Sequence, residues 1–195
     1  MKSHTWKLKD IILVANISLV FGAIGLFVVQ FSILLGTVLA PTGLAPLSVS
    51  ILYGIWIMPA LLAPYIMQKS GIAATSMVLA AIVQSLLGTV FGPRVIVTGL
   101  LQGFGAEGVF AAFRYKKFNM KTMCLAAASA GTISFPWTFW SLGYGNLDLW
   151  LIIVLFVIRI LSAMLFGGIL CTLIGNSLAK TGILKSYALG SEDDE

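Results

Sequence analysis

The chain has 195 residues, of which 59% are hydrophobic and only 10% charged, with a formal net charge of +5. Soluble domains run at roughly 45–50% apolar and about 25% charged, so a water-soluble globular domain is excluded. The composition defines an all-α membrane protein that crosses the bilayer several times. No polar run is long enough for a second domain, so residues 1–195 read as a single integral membrane domain in the cell membrane.

A membrane helix needs about 20 predominantly apolar residues. The first such run, 11–35, follows MKSHTWKLKD and imitates a signal peptide. It is longer than the roughly 7–15 residues of a signal h-region, so it reads as a retained first span. Five more spans follow at 46–67, 72–91, 95–113, 123–142 and 149–178. The breaks APTGLAP, QKSG, FGPR, RYKKFNMK and GYGNLD are each rich in Gly, Pro, Asn or charge. The tail at 190–195, GSEDDE, reads as a short solvated acidic end. Cys124 and Cys171 lie in apolar stretches without CxxC spacing, so they read as small hydrophobes. The spans show no internal repeat of the kind that marks an inverted-repeat transporter.

The basic residues orient this bundle of six transmembrane helices. With the N-terminus inside, Lys2, Lys7, Lys9, Lys69, Arg114, Lys116, Lys117, Lys121, Lys180 and Lys185 share the inner side, ten of the twelve Lys and Arg. Arg94 lies outside and Arg159 falls within a span. The positive-inside rule therefore places both termini in the cytoplasm. Orientation accounts for the net charge, and no nucleic-acid partner is needed.

The fourth span contains GFGAEG at 103–108, a formal match to G-x-G-x-x-G. That fingerprint must follow a β-strand and open a βαβ unit, and a membrane span offers neither. Gly99, Gly103 and Glu107 instead recur every four residues along one helix line. Gly99-x-x-x-Gly103 is the spacing that lets two membrane helices approach closely. Packing covers the glycines but not Glu107, because an ionised acid at mid-membrane costs on the order of 3 kcal/mol or more. At about 1.5 Å per residue from the outer helix ends, Glu107 lies roughly 18 Å deep and Arg159 roughly 15 Å. The two could meet as a structural ion pair, or Glu107 could belong to a ligand site, or both.

Other polar and aromatic residues gather in the outer half. They are Gln30 on the first span, Tyr53 and Trp56 on the second, Gln84 on the third, Gln102 on the fourth, and Trp137 and Trp140 on the fifth. Tyr144, Trp150 and Tyr65 read as an interfacial aromatic belt. Trp56 and Trp137 lie about one to two turns deeper and suit either a belt or a pocket. Carboxamides in hydrocarbon must find partners, so Gln84 and Gln102 either bond neighbouring helices or serve a ligand. An acid, amides and aromatic faces together suit a small, flat, nitrogen-rich molecule that can carry positive charge.

The chain lacks G-x-x-x-x-G-K-[ST], so it is not its own P-loop ATPase. Its one histidine, His4, is near the N-terminus, and paired carboxylates and metal-ligand clusters are missing. The chain therefore reads as a non-enzyme without cofactor or metal.

The segments WKLKDIILVANISLVFG, YGIWIMPALLAPYIMQKSGIAA and GLLQGFGAEGVFAAFRYKKFN resemble the YkoE family. These are substrate-binding S-components of energy-coupling-factor (ECF) transporters, associated with thiamine and its hydroxymethylpyrimidine (HMP) precursor. The resemblance extends over essentially the whole chain. It implies an S-component-like bundle that captures the vitamin from outside and works with a transmembrane coupling protein and cytoplasmic ABC-type ATPases. It also implies a coupling face of small residues on the first helix, here Ala15, Ser18, Gly22 and Gly25, with Ala73, Ala80 and Ala81 as further candidates. Thiamine would use Glu107 for its amino group or cation, Gln84 and Gln102 for ring nitrogens, and Trp56 and Trp137 for stacking. Two other readings are a non-transporting membrane scaffold with a structural Glu107–Arg159 pair, and a protein that transports alone. Broken mid-membrane helices would support the latter, and Pro136 is the one residue that suggests them.

Overall fold

A computed structural model describes residues 6–191. The acidic residues from Glu192 onward, together with Lys2 and His4, lie outside the described residues. The described chain is helical throughout: α1 Leu8–Leu39, α2 Leu47–Trp56, α3 Pro59–Met67, α4 Ile72–Leu86, α5 Arg94–Ala112, α6 Met120–Ser141, α7 Leu149–Ser162, α8 Cys171–Lys180 and a final turn α9 Ala188–Ser191. A π-helical segment, Ala163–Leu170, joins α7 to α8 without a break. Among the described residues four stretches are long and apolar enough to cross a membrane: Leu8–Thr42, Leu47–Met67, Arg94–Ala112 and Leu149–Lys180.

Local chemistry sets the helix ends. Asp10 reaches back to the Lys7 backbone N–H at 2.7 Å and holds the first turn of α1. Asn119 caps α6 by accepting from the Thr122 N–H at 2.9 Å. The apolar run expected as one span at 46–67 is broken at Ile57 and Met58, because Pro59 has no N–H to continue the ladder from α2. The Ile55 carbonyl, which a residue with an N–H at position 59 would have met, accepts from the Met58 N–H at 3.3 Å instead, and hydroxyls of neighbouring helices bond across the junction. Ser76 Oγ donates to Pro59 O at 2.8 Å, and Ser18 Oγ donates in turn to Ser76 O at 3.0 Å. Such local repair is what a broken helix in hydrocarbon requires.

The expected third span, 72–91, is shorter than its composition suggests. Helix α4 stops at Leu86, and Gly88 and Gly92, both at positive φ, turn 87–93 into a loop.

Small residues bring the helices together. Side-chain carbons built on Gly99 and Gly103 of α5 would fall 2.7 and 2.8 Å from Ala81 and Ala74 on α4. On the opposite face of α5, Gly105 lies against Ala130 of α6 in the same way. On α1, Ser18, Gly22 and Gly25 are buried, with Gly22 against Val83 and Gly25 against Gln84 of α4. Those three residues form an internal seam, which corrects the coupling face expected there. Ala73, Ala80 and Ala81 are buried as well, and of the first-helix set Ala15 alone is exposed.

Most of the buried apolar residues lie around α3, α4 and α6. A second cluster of Leu47, Tyr144, Leu151 and Leu155 closes the end where α6 meets α7. Tyr65 and Tyr144 are therefore core residues and not part of an interfacial belt, whereas Trp150 is exposed. Tyr65 donates to Asn176 Oδ1 at 2.7 Å.

Candidate functional site

The polar side chains within the bundle sort into two separate groups. The first surrounds Glu107, whose carboxylate lies at the start of α4. Oε1 accepts from the Gly71 N–H at 2.6 Å and from the Tyr115 hydroxyl at 2.7 Å. Oε2 accepts from the N–H groups of Ala73 and Ala74 at 2.9 and 3.3 Å. A helix leaves its first N–H groups unpaired and carries partial positive charge there, and Glu107 satisfies both needs from a neighbouring helix. Burial and the adjacent carboxylate push the Tyr115 phenol above its ordinary pKa, so it remains a donor.

Basic residues crowd this end. Lys69 pairs with Asp10 at 2.5 Å, Trp6 donates to Ser70 O at 3.1 Å, and Lys9 donates to Ser186 O. Tyr187 donates to Lys9 O at 3.1 Å, which fastens the C-terminal segment to the base of α1.

The second group surrounds Arg159. This guanidinium is only 2% exposed, yet it lines a cavity of about 400 Å³. Its Nη2 donates to Ser134 Oγ at 2.9 Å and Thr138 Oγ1 at 3.1 Å, and its Nε donates to Gly131 O at 3.3 Å. The guanidinium carbon sits 3.6 Å from the centroid of the Tyr53 ring, a close cation–π contact. Tyr53 and Ser134 share a hydrogen bond of 3.0 Å, so two neighbouring helices, α2 and α6, hold the arginine on α7. No carboxylate lies within ion-pair distance of Arg159 among the described residues. Nearby, burial pushes the Tyr144 phenol up to about 12, with the Arg159 charge acting in the opposite sense.

The expected Glu107–Arg159 pair does not form. The cavity reaches α5 at Arg94, Val95, Thr98 and Gln102. Glu107 lies about 7 Å further along the helix than Gln102, the lining residue nearest to it in sequence, at about 1.5 Å per residue. Glu107 does not line the cavity, and four hydrogen bonds occupy it elsewhere.

The other candidate residues divide by position. Tyr53, Trp56 and Gln102 line the cavity. Gln84 stands one layer behind, where its Oε1 accepts from Trp56 Nε1 at 3.2 Å and its buried Nε2 has no partner. Trp137 donates to Thr98 Oγ1 at 3.1 Å and thereby supports a lining residue. Trp140 packs on Trp137 but is 71% exposed, and Gln30 is exposed on α1. Neither reaches the cavity.

Sequence reasoning missed Arg94, Thr98, Thr138 and Ser141 as lining residues, along with the wall formed by Val90, Phe91 and Gly92. Phe91 packs against Trp56 with centroids 6.0 Å apart, so the α4–α5 loop covers one side of the cavity. The available signal was Arg94, the basic residue that stands apart from the inner cluster.

The family described as the permease component of ABC-type cobalt transport systems matches residues 9–133. YkoE of Bacillus subtilis (strain 168), whose name provisionally assigns it as an HMP/thiamine permease, is 37% identical over 98% of this chain and 93% of its own. A crystal structure of an S-component of an ECF transporter superimposes with a TM-score of 0.90 at 37% identity, covering 97% of this chain and 94% of that one. An apolar helical bundle around a cavity with polar lining, and with these relatives, defines a multi-pass cell-membrane transport component and not an enzyme. The chain belongs to the S-component family of ECF transporters.

Proposed function

We propose that this S-component captures thiamine or its hydroxymethylpyrimidine precursor in the cavity floored by Arg159. It would take the vitamin from the side on which Arg94 lies, with six membrane crossings and both termini in the cytoplasm. A transmembrane coupling protein and cytoplasmic ATPases would drive uptake, since the chain carries no nucleotide-binding motif of its own. The observation that carries this reading is the cavity itself: about 400 Å³, with Tyr53 and Trp56 as aromatic faces and Gln102 and Arg159 as hydrogen-bonding groups. Ligand pockets are typically apolar clefts with a few convergent polar groups. The name of the B. subtilis relative supports the choice of ligand.

The lining also constrains the pose. It contains no Asp, Glu, His or Cys, a donor set poorly suited to a bare divalent cation. A permanent thiazolium would avoid the buried Arg159 charge. The aminopyrimidine therefore enters first, with a ring nitrogen accepting from the guanidinium, and the thiazolium lies nearer Trp56. The hydroxyethyl tail then points toward Arg94.

Ligand that binds only the folded state must raise the melting temperature. Purified protein should therefore melt at a higher temperature with thiamine or hydroxymethylpyrimidine, and Trp56 fluorescence should change on binding. No shift with either compound would overturn the reading and leave the scaffold alternative.

A further inference from the structure

The carboxamide of Gln84 is placed at a cost that packing alone does not explain. The residue is 3% exposed, and its Nε2 has no hydrogen-bond partner among the described residues. A polar group left unpaired inside hydrocarbon is destabilising, and an apolar residue of similar size would avoid that penalty. Among the described residues the carboxamide bonds only Trp56, whose Nε1 donates to Oε1 at 3.2 Å. An indole N–H can donate but not accept. The bond therefore turns Oε1 toward Trp56 and Nε2 away from it. The unpaired amino group follows from the bond to Trp56.

The carboxamide is also confined from behind. A side-chain carbon built on Gly25 of α1 would fall 2.9 Å from Oε1 and 3.1 Å from Cδ, so α1 leaves room for this group and little more. The neighbouring contact of the same seam, Gly22 against Val83, is equally tight. Gln84 is thus fixed between α1 and Trp56. The indole in turn is half-buried, lines the cavity and packs on Phe91. Its bond to Gln84 is the one hydrogen bond that orients it among the described residues. Without that bond, rotation about the side-chain torsions would let the ring leave its plane.

We propose that Gln84 is a positioning residue that sets the indole plane of Trp56 for the ligand while making no contact with the ligand itself. This rests on the assignment of the cavity as a thiamine or hydroxymethylpyrimidine site with Trp56 as one of its aromatic faces. Gln84 does not line the cavity, so it acts through the ring in front of it. Stacking depends on ring orientation. A ring already oriented spares the entropy of ordering it when the ligand arrives.

The test is calorimetric titration of the purified protein with thiamine, for the native chain, Gln84→Met, Trp56→Phe and the double variant. Methionine is close to glutamine in shape and removes both the acceptor and the unpaired amino group. Gln84→Met should weaken thiamine binding about fivefold, while its melting temperature without ligand equals or exceeds that of the native chain. In the Trp56→Phe background, which has no indole N–H, Gln84→Met should change the Kd less than about twofold. An equal loss in both backgrounds would overturn the inference, as would a melting temperature that falls with the affinity. A second measurement needs no ligand. In NMR spectra of protein isotopically labelled at tryptophan, the Trp56 indole N–H is identified by its loss in Trp56→Phe. It should exchange with water faster in Gln84→Met. If Trp56→Phe binds too weakly to titrate, faster exchange together with weaker binding in Gln84→Met supports the inference, and either one unchanged overturns it. Those failures leave the vitamin assignment standing wherever the native chain binds thiamine. If the native chain does not bind it, the assignment of the cavity fails and the inference fails with it.

Discussion

Glu107 and Arg159 show two ways in which a charge is accommodated inside an apolar bundle. Glu107 is matched by four donors on backbone and phenol. Hydrogen bonds to charged groups contribute about 1.5–3 kcal/mol each, enough together to offset a membrane cost on the order of 3 kcal/mol. Glu107→Ala should therefore lower unfolding stability by about 2–4 kcal/mol, while the affinity for thiamine changes less than twofold. A large loss of affinity at unchanged stability would show that the carboxylate serves the ligand after all. Arg159 is matched by hydroxyls, a carbonyl and an aromatic face, with no carboxylate partner among the described residues. The sequence marked both residues as costly, but unlike charges at similar depth suggested each other. The real partners of Glu107 are N–H groups, which every residue carries and no side-chain pattern displays. The hydroxyls of the cavity were hidden for a related reason. Thr98 and Thr138 also bond their own helix backbone, as such residues commonly do, so nothing in their spacing singles them out.

At the scale of elements, close approach depends on residues without side chains. Gly54 of α2 faces the backbone of Ser162, and the contact is locked on both sides. The Gly54 N–H donates to Ser162 Oγ at 3.0 Å, and that hydroxyl donates to Ile51 O at 2.6 Å. A side chain at Gly54 would meet main chain, which cannot rotate away. Gly54→Val should cost about 3 kcal/mol or more. Denaturation in detergent checks this, and a near-native melting temperature would refute it. The apolar runs made the helices legible from composition, because few other structures satisfy every backbone group in hydrocarbon. Their interruptions were harder to read. The break before Pro59 falls inside an unbroken apolar run, and the early end of α4 depends on Gly88 adopting a left-handed turn amid Leu, Thr and Val.

For the whole molecule, the basic residues and the cavity occupy different ends. Lys9, bonded to Ser186, and Lys69, paired with Asp10, lie at one end, while Arg94 borders the cavity toward the other. Under the proposed orientation, a membrane-impermeant maleimide should label Gly145→Cys in intact cells, and Lys117→Cys only after permeabilisation. Both positions are exposed. The reverse pattern would invert the topology and move the cavity to the cytoplasmic face. Membership of the S-component family was legible from three sequence segments. The coupling face was not, because a stripe of small residues looks the same whether it meets a partner or the chain's own α4, as Ser18, Gly22 and Gly25 do.

The π-helical turns between Ala163 and Leu170 have a consequence for insertions and deletions in the last membrane helix. Wide turns of this kind hold surplus chain relative to a 3.6-residue repeat. Losing one residue there, for instance the half-exposed Leu165, can be absorbed by tightening to regular α-helix. The same loss among residues 150–158 would turn Arg159 by about 100° relative to the start of α7 and carry its guanidinium off the cavity floor. The length of this helix is therefore adjustable below Arg159 and fixed above it.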